Sequence, residues 1–124
     1  MSPLRPYLIR SFYEWITDNL LTPFIIVNAE SENVEVPQEH IENGKIILNI
    51  APRAVQNLKI TNQILEFDAS FSGQLNHIFM PIRAVEAIYA KENGRGMAFN
   101  ADEEEEGNTT PPLKAGKPNL KIVE

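Results

Sequence analysis

Side chains that could carry out chemistry are few and scattered in this chain of 124 residues. His40 and His77 lie far apart, and neither belongs to a motif with catalytic or metal-ligand spacing. Gly94-Arg95-Gly96 is too short to cradle a phosphate and is interpreted as a helix end followed by a turn. The acidic run at residues 103–106 lacks a calcium-binding loop pattern, which favours a solvated charge run. The sequence therefore gives no support to an enzyme, a cofactor or a metal site.

Composition narrows the class of protein further. A hydrophobic fraction of 43% is typical of one soluble globular domain. Because the chain has no cysteine, a disulfide framework, a thiol nucleophile and a cysteine zinc site are excluded, which is compatible with the cytoplasm. A net charge of −6 argues against general affinity for nucleic acid. No apolar run has membrane-spanning length, and the N-terminus lacks a signal-peptide layout, so no membrane partner is expected.

Charge divides the chain into three segments. Residues 1–100 have the apolar content of a folded domain. Residues 101–113 contain five acidic residues, no basic residue and few large apolar side chains, so we predict a disordered linker. Residues 114–124 contain three lysines and one glutamate, together with Leu120, Ile122 and Val123. A polar linker that ends in apolar residues predicts a terminal docking peptide, and hence a protein that joins two partners.

The domain should begin with a helix that runs from about Pro6 to Asn19. Its apolar residues recur at helical spacing and form a wide, aromatic face. Two interpretations stay open for that face: it packs entirely on its own domain, or part of it contacts a second copy of the chain. The residues concerned are Leu8, Phe12, Trp15 and Ile16.

Short strands should follow this helix. Alternating or β-branched runs occur at 24–27, 34–36, 45–50, 58–60, 64–71 and 76–80, with turn signals at Asn43-Gly44 and Ser72-Gly73. Pro81 and Gly94 should bound a second, short helix, and residues 97–99 should add a last strand. This order predicts an α+β domain built on a small, strongly bent sheet or barrel.

One strand carries a candidate binding surface. Leu65, Phe67, Ala69 and Phe71 should share one face of the strand at 64–71. That face is either core or the floor of a groove, since a small alanine between two phenylalanines leaves a slot for a peptide side chain. We interpret residues 49–55 as a shaped turn. A binding role is one alternative for this turn.

Four strings resemble the stringent starvation protein B (SspB) family. They are residues 5–15, 19–23, 47–55 and 87–94, which read RPYLIRSFYEW, NLLTP, ILNIAPRAV and AIYAKENG. The resemblance covers residues 5–100 almost continuously and extends to the tail. Strings of this length are far more specific than a short motif.

The resemblance implies a cytoplasmic adaptor for the ClpXP protease, without catalytic activity of its own. Such adaptors are homodimers with an Sm-like or SH3-like β-domain that binds the ssrA tag on proteins from stalled ribosomes. An acidic linker leads to a C-terminal peptide that docks on the N-terminal zinc-binding domain of ClpX. By this resemblance the tag groove comprises Asn49, Ile50, Ala51, Arg53, Phe67, Ala69 and Phe71. The dimer contact comprises Leu8, Phe12, Trp15 and Ile16, and the ClpX-binding residues are Pro118, Leu120, Lys121, Ile122 and Val123.

Two features depart from the family pattern, and one alternative function remains. The linker is short, and Glu124 replaces a basic terminal residue. A flexible linker of 13 residues has an end-to-end distance of roughly 20 Å and a stretched limit of about 45 Å. The alternative is an Sm-like RNA-binding module. The acidic net charge and the lack of a basic aromatic strip weigh against it.

Overall fold

The computed structural model describes residues 3–99, and they begin with one α-helix. Helix α1 spans Arg5–Asp18, with a proline in its first turn, where a missing N–H costs nothing. It ends at Asn19, whose backbone N–H bonds back to the carbonyls of Trp15 and Ile16, and Leu20 adopts a left-handed φ of 62°. The predicted N-terminal helix is confirmed.

In the described part of the chain, seven antiparallel strands form two sheets. The strands are β1 (Pro23–Asn28), β2 (Lys45–Asn49), β3 (Val55–Ile60), β4 (Ile64–Phe71), β5 (Gln74–Pro81), β6 (Val85–Ala90) and β7 (Gly96–Ala98). One sheet has the order β2-β1-β6-β7 and the other has the order β3-β4-β5. Neither sheet closes on itself within residues 3–99. The α+β class is confirmed, and the predicted bent sheet or barrel takes the form of two open sheets.

The prediction of a second α-helix is wrong. A single 3-10 turn, Ile82–Ala84, leads directly into strand β6, which pairs with both β1 and β7. The apolar residues Ile82, Val85 and Ile88 recur every third position, a spacing that suits a helix as well as a strand with a bulge. Two neighbouring strands supply backbone partners on both sides, and this tertiary pairing decides the conformation. Gly94 has a φ of +73° and lies in the β6–β7 turn rather than at a helix end.

Two tight turns fix the register of their hairpins. Asn43 and Gly44 have φ values of 54° and 77°, and Ser72 and Gly73 have values of 52° and 81°. Two successive positive φ angles are typical of the primed turns that match strand twist. The strand predicted at 58–60 begins earlier, at Val55, and the strand predicted at 34–36 is a single bridge between Glu35 and Phe79.

The hydrophobic core lies between the two sheets, and α1 contributes to it. Full burial of each large side chain stabilises the fold by roughly 1.5–3 kcal/mol. The buried guanidinium of Arg5 donates to the carbonyls of Arg83 and Val85, which attaches the start of α1 to β6. Side chains with no exposed surface include Ile9 and Ile16 of α1, Ile25 and Val27 of β1, Leu65 and Phe67 of β4, Ile78 and Met80 of β5, and Ile88 of β6.

Candidate functional site

The inner face of β4 runs from the core to the surface. Leu65 and Phe67 have no exposed surface, Ala69 is 8% exposed, and Phe71 is half-buried. Ala69 pairs with Val55 of β3 on one side and with Asn76 of β5 on the other. A row of three side chains therefore crosses the sheet where the core meets solvent. We call Val55, Ala69, Phe71 and Asn76 the slot.

A turn between β2 and β3 delivers one side of the slot. The Asn49 side-chain oxygen accepts a hydrogen bond of 2.9 Å from the N–H of Ala51, and the Ala51 carbonyl accepts one of 2.8 Å from Ala54. Ile50 and Ala51 are buried, whereas Arg53 is exposed. The turn leads into Val55 opposite Ala69, so the structure brings the two predicted groove segments, 49–55 and 67–71, together.

The loop before β2 places His40 beside the slot. His40 ends the 3-10 turn Gln38–His40, and its ring centroid lies 5.3 Å from that of Phe71 at an interplanar angle of 48°. The interpretation of His40 as a surface or packing residue agrees with its exposed position and its tilted ring contact with Phe71. Its contact with Phe71 was missed, because no short-range pattern joins residues so far apart.

Asn76 was also missed, although the sequence contained a signal for it. The two-residue turn Ser72-Gly73 pairs Phe71 with Gln74. Two residues farther from the turn on each strand, Ala69 pairs with Asn76. Residues that pair directly across an antiparallel ladder share one face of the sheet. The predicted turn was therefore sufficient to place an amide side chain next to Ala69.

The outer face of the same sheet carries a charged network. His77 bonds through Nδ1 to Asp68 at 2.7 Å and through Nε2 to Glu66 at 3.1 Å. Asn57 donates to the other oxygen of Asp68 at 2.9 Å, and Lys59 lies 3.6 Å from Glu66. These contacts connect all three strands on the side opposite Ala69.

Hydrogen bonding shifts the pKa of two side chains in this network. Hydrogen bonds from Asn57 and then His77 lower the pKa of Asp68. Hydrogen bonds with Asp68 and then Glu66 raise the pKa of His77. Among residues 3–99 no cluster of three ligating side chains is arranged to hold a metal ion. The hydrogen bonds and the ion pair that join the three strands make the network an electrostatic contact between strands.

Helix α1 and Leu4, which directly precedes it, expose an apolar stripe. Leu4, Tyr7 and Trp15 are 61%, 46% and 44% exposed, and Leu8 and Phe12 are half-buried. The rings of Phe12 and Trp15 meet edge to face at 5.8 Å. Ile16 has no exposed surface and packs in the core of its own chain.

The linker 101–113 and the predicted ClpX-binding residues lie outside the described residues. Those binding residues are Pro118, Leu120, Lys121, Ile122 and Val123. In the described part of the chain, no helix is long and apolar enough to cross a membrane.

The fold defines a small α+β protein of two antiparallel sheets with a slot at one sheet end, and comparison with known proteins gives its family. The family model described as stringent starvation protein B matches residues 3–121. A stringent starvation protein B homolog from Haemophilus influenzae is 43% identical over 102 residues, which cover 82% of this chain and 68% of that protein. The chain belongs to the SspB family.

Proposed function

We propose that this protein is a cytoplasmic adaptor that binds the ssrA tag and delivers tagged proteins to ClpXP, without catalysing a reaction itself. The observation that carries the proposal is the family match, which runs from the folded domain to residue 121 in the terminal peptide. In this proposal the slot binds the tag, and residues 114–124 bind the N-terminal domain of ClpX.

The slot supports peptide binding through its shape and its chemistry. Ala69 is the smallest side chain in a row that has Val55 on one side and Asn76 on the other. A small residue at the margin of the core leaves room for one apolar side chain of an extended peptide. The NH₂ group of Asn76 donates to the Gln74 carbonyl at 3.0 Å, so its side-chain oxygen is the group that can accept from a ligand, and the exposed Arg53 lies two residues before Val55. This combination suits a short peptide better than a phosphate backbone.

Replacing Ala69 tests the slot directly. In Ala69→Gln the longer side chain should fill the slot, so binding of an ssrA-tag peptide should fall by at least about 30-fold. Ser70→Gln is the matched control, because Ser70 is the next residue and is exposed on the opposite face of β4. Calorimetry with the tag peptide and, in parallel, with single-stranded RNA gives both affinities. Normal tag binding by Ala69→Gln, or tighter binding of RNA than of tag, would contradict the proposal.

The exposed stripe of α1 supports a homodimer. Leu4, Tyr7 and Trp15 leave apolar surface in solvent, which a second copy of the helix would bury. Trp15→Glu should convert a dimer to a monomer at micromolar concentration, whereas Asp18→Lys, on the exposed last turn of the helix, should not. Sedimentation velocity measures both. A wild-type monomer under these conditions would remove the dimer from the proposal.

A further inference from the structure

We propose that His40 is a specificity-determining residue of the slot. The nitrogens at its ring edge hydrogen-bond to an uncharged polar side chain of the bound peptide. Its ring face extends the apolar wall formed by Phe71. The inference deepens the proposed function and rests on the slot being the tag site. It assigns to the tag a polar, uncharged side chain close to the apolar one that enters beside Ala69.

The first argument is that the ring nitrogens of His40 are available for hydrogen bonds. Both ring nitrogens of His77 form hydrogen bonds with carboxylates. Within residues 3–99, neither ring nitrogen of His40 has a hydrogen-bond partner. A neutral imidazole offers one N–H donor and one acceptor nitrogen. His40 is exposed, so both groups are accessible to a ligand. One histidine is thus satisfied by its own sheet, and the other is available.

The second argument is position. A centroid distance of 5.3 Å and a tilt of 48° are within the range of favourable aromatic contacts, so the imidazole ring packs against Phe71. Phe71 belongs to the slot and lies two residues beyond Ala69 on the same face of β4. A peptide side chain that contacts Phe71 therefore lies within reach of the ring edge of His40.

The third argument is that the loop holds His40 in advance of binding. The N–H of His40 bonds to the Pro37 carbonyl at 3.2 Å, and the N–H of Ile41 bonds to the Gln38 carbonyl at 3.1 Å. Ile41 packs against the core, and two backbone bonds join Glu35 to Phe79 of β5. A recognition group that is ordered before binding loses less conformational entropy when the ligand arrives.

The charge of the loop selects the class of ligand. Five glutamates lie between residues 30 and 42, two of them directly before and two residues after His40, and no lysine or arginine lies in that range. Like charges repel a carboxylate of the ligand. An amide or hydroxyl side chain avoids this repulsion and can hydrogen-bond to the ring nitrogens of His40.

The test combines three histidine variants with an alanine scan of an ssrA-tag peptide. His40→Phe keeps the ring and removes the nitrogens, so the affinity should fall by about 2- to 12-fold, the usual range for one hydrogen bond. His40→Ala removes ring and nitrogens and should lower it further. His77→Gln, on the outer face, should leave it unchanged. In His40→Phe, one polar position of the peptide should become insensitive to alanine substitution.

The outcomes separate this inference from the proposed function. Wild-type affinity in His40→Phe, or the absence of any peptide position coupled to it, would overturn the role of His40. If Ala69→Gln abolishes tag binding at the same time, the slot assignment survives that loss. If Ala69→Gln binds normally while one peptide position still couples to His40, the tag contacts His40 outside the slot. The inference as stated then fails as well.

Discussion

The two faces of β4 carry different kinds of side chain, although they alternate along one strand. Residues 65, 67, 69 and 71 face the other sheet and are apolar, and their burial decreases toward Phe71. Glu66, Asp68 and Ser70 face outward, and the two carboxylates bind His77. The inner face therefore combines core packing with a half-buried margin, whereas the outer face joins neighbouring strands through polar contacts.

This difference indicates that the two faces of β4 contribute differently to the stability of the fold. The buried end of the apolar face stabilises the fold, and in the adaptor proposal the half-buried end contacts the bound peptide. Exposed charged pairs contribute little stability, because water screens them and long side chains lose entropy when they pair. The effects of substitutions on the two faces should accordingly differ in magnitude and in kind.

The largest expected effect is at the closed end of the inner face. Phe67 has no exposed surface, so Phe67→Ala should lower the free energy of unfolding by about 3–5 kcal/mol. Ser70→Ala, on the outer face, should change it by less than about 0.5 kcal/mol. Urea denaturation followed by the fluorescence of the single tryptophan measures both values. Equal losses in the two variants would show that β4 does not separate core from surface in this way.

A smaller effect should appear as a dependence on pH at the outer face. Because the pKa of His77 is raised in the folded protein, its network contributes stability that is fully present below pH 6.5 and is lost as the pH rises through the higher folded value. Wild-type protein should therefore lose stability above pH 6.5 relative to His77→Gln. Thermal unfolding of both proteins across pH 5.5–8.5 measures the difference. Parallel profiles would show that the network does not favour the protonated histidine.

Local patterns were sufficient to predict several of these elements. The apolar spacing from Leu8 to Ile16 predicted α1, and strict alternation predicted β4 with its correct bounds. Asn43-Gly44 predicted a turn that the structure confirms, because few residues other than asparagine and glycine tolerate two successive positive φ angles.

The errors and omissions arose where tertiary contacts decide. Strand β6 was predicted as a helix because Ile82, Val85 and Ile88 recur at helical spacing, and only pairing with β1 and β7 makes it a strand. The contact of His40 with Phe71 depends on a loop that is held by a single bridge to β5. Such contacts join residues distant in sequence, so no local pattern contains them.

The adaptor proposal joins the slot to a second region, the terminal peptide. Leu120 and Ile122 are separated by Lys121, a spacing that suits an extended peptide with one side in an apolar groove, and Pro118 restricts the unbound conformations. In this proposal, three lysines in residues 114–124 would add attraction to an acidic partner surface, which would mainly raise the association rate. In this proposal, a tether of 13 residues would span at most about 45 Å and would still give a bound substrate a high effective concentration near the protease.

The most direct measurement of this account is the rate at which ClpXP degrades an ssrA-tagged substrate at a concentration below its KM. Full-length protein should accelerate degradation, whereas a chain ending at residue 113 should bind the tag peptide with unchanged affinity and give no acceleration. Leu120→Ser/Ile122→Ser in the full chain should behave like the deletion, and Asn119→Ser should behave like wild type. Acceleration by the shortened chain equal to that by the full chain would contradict delivery through the terminal peptide.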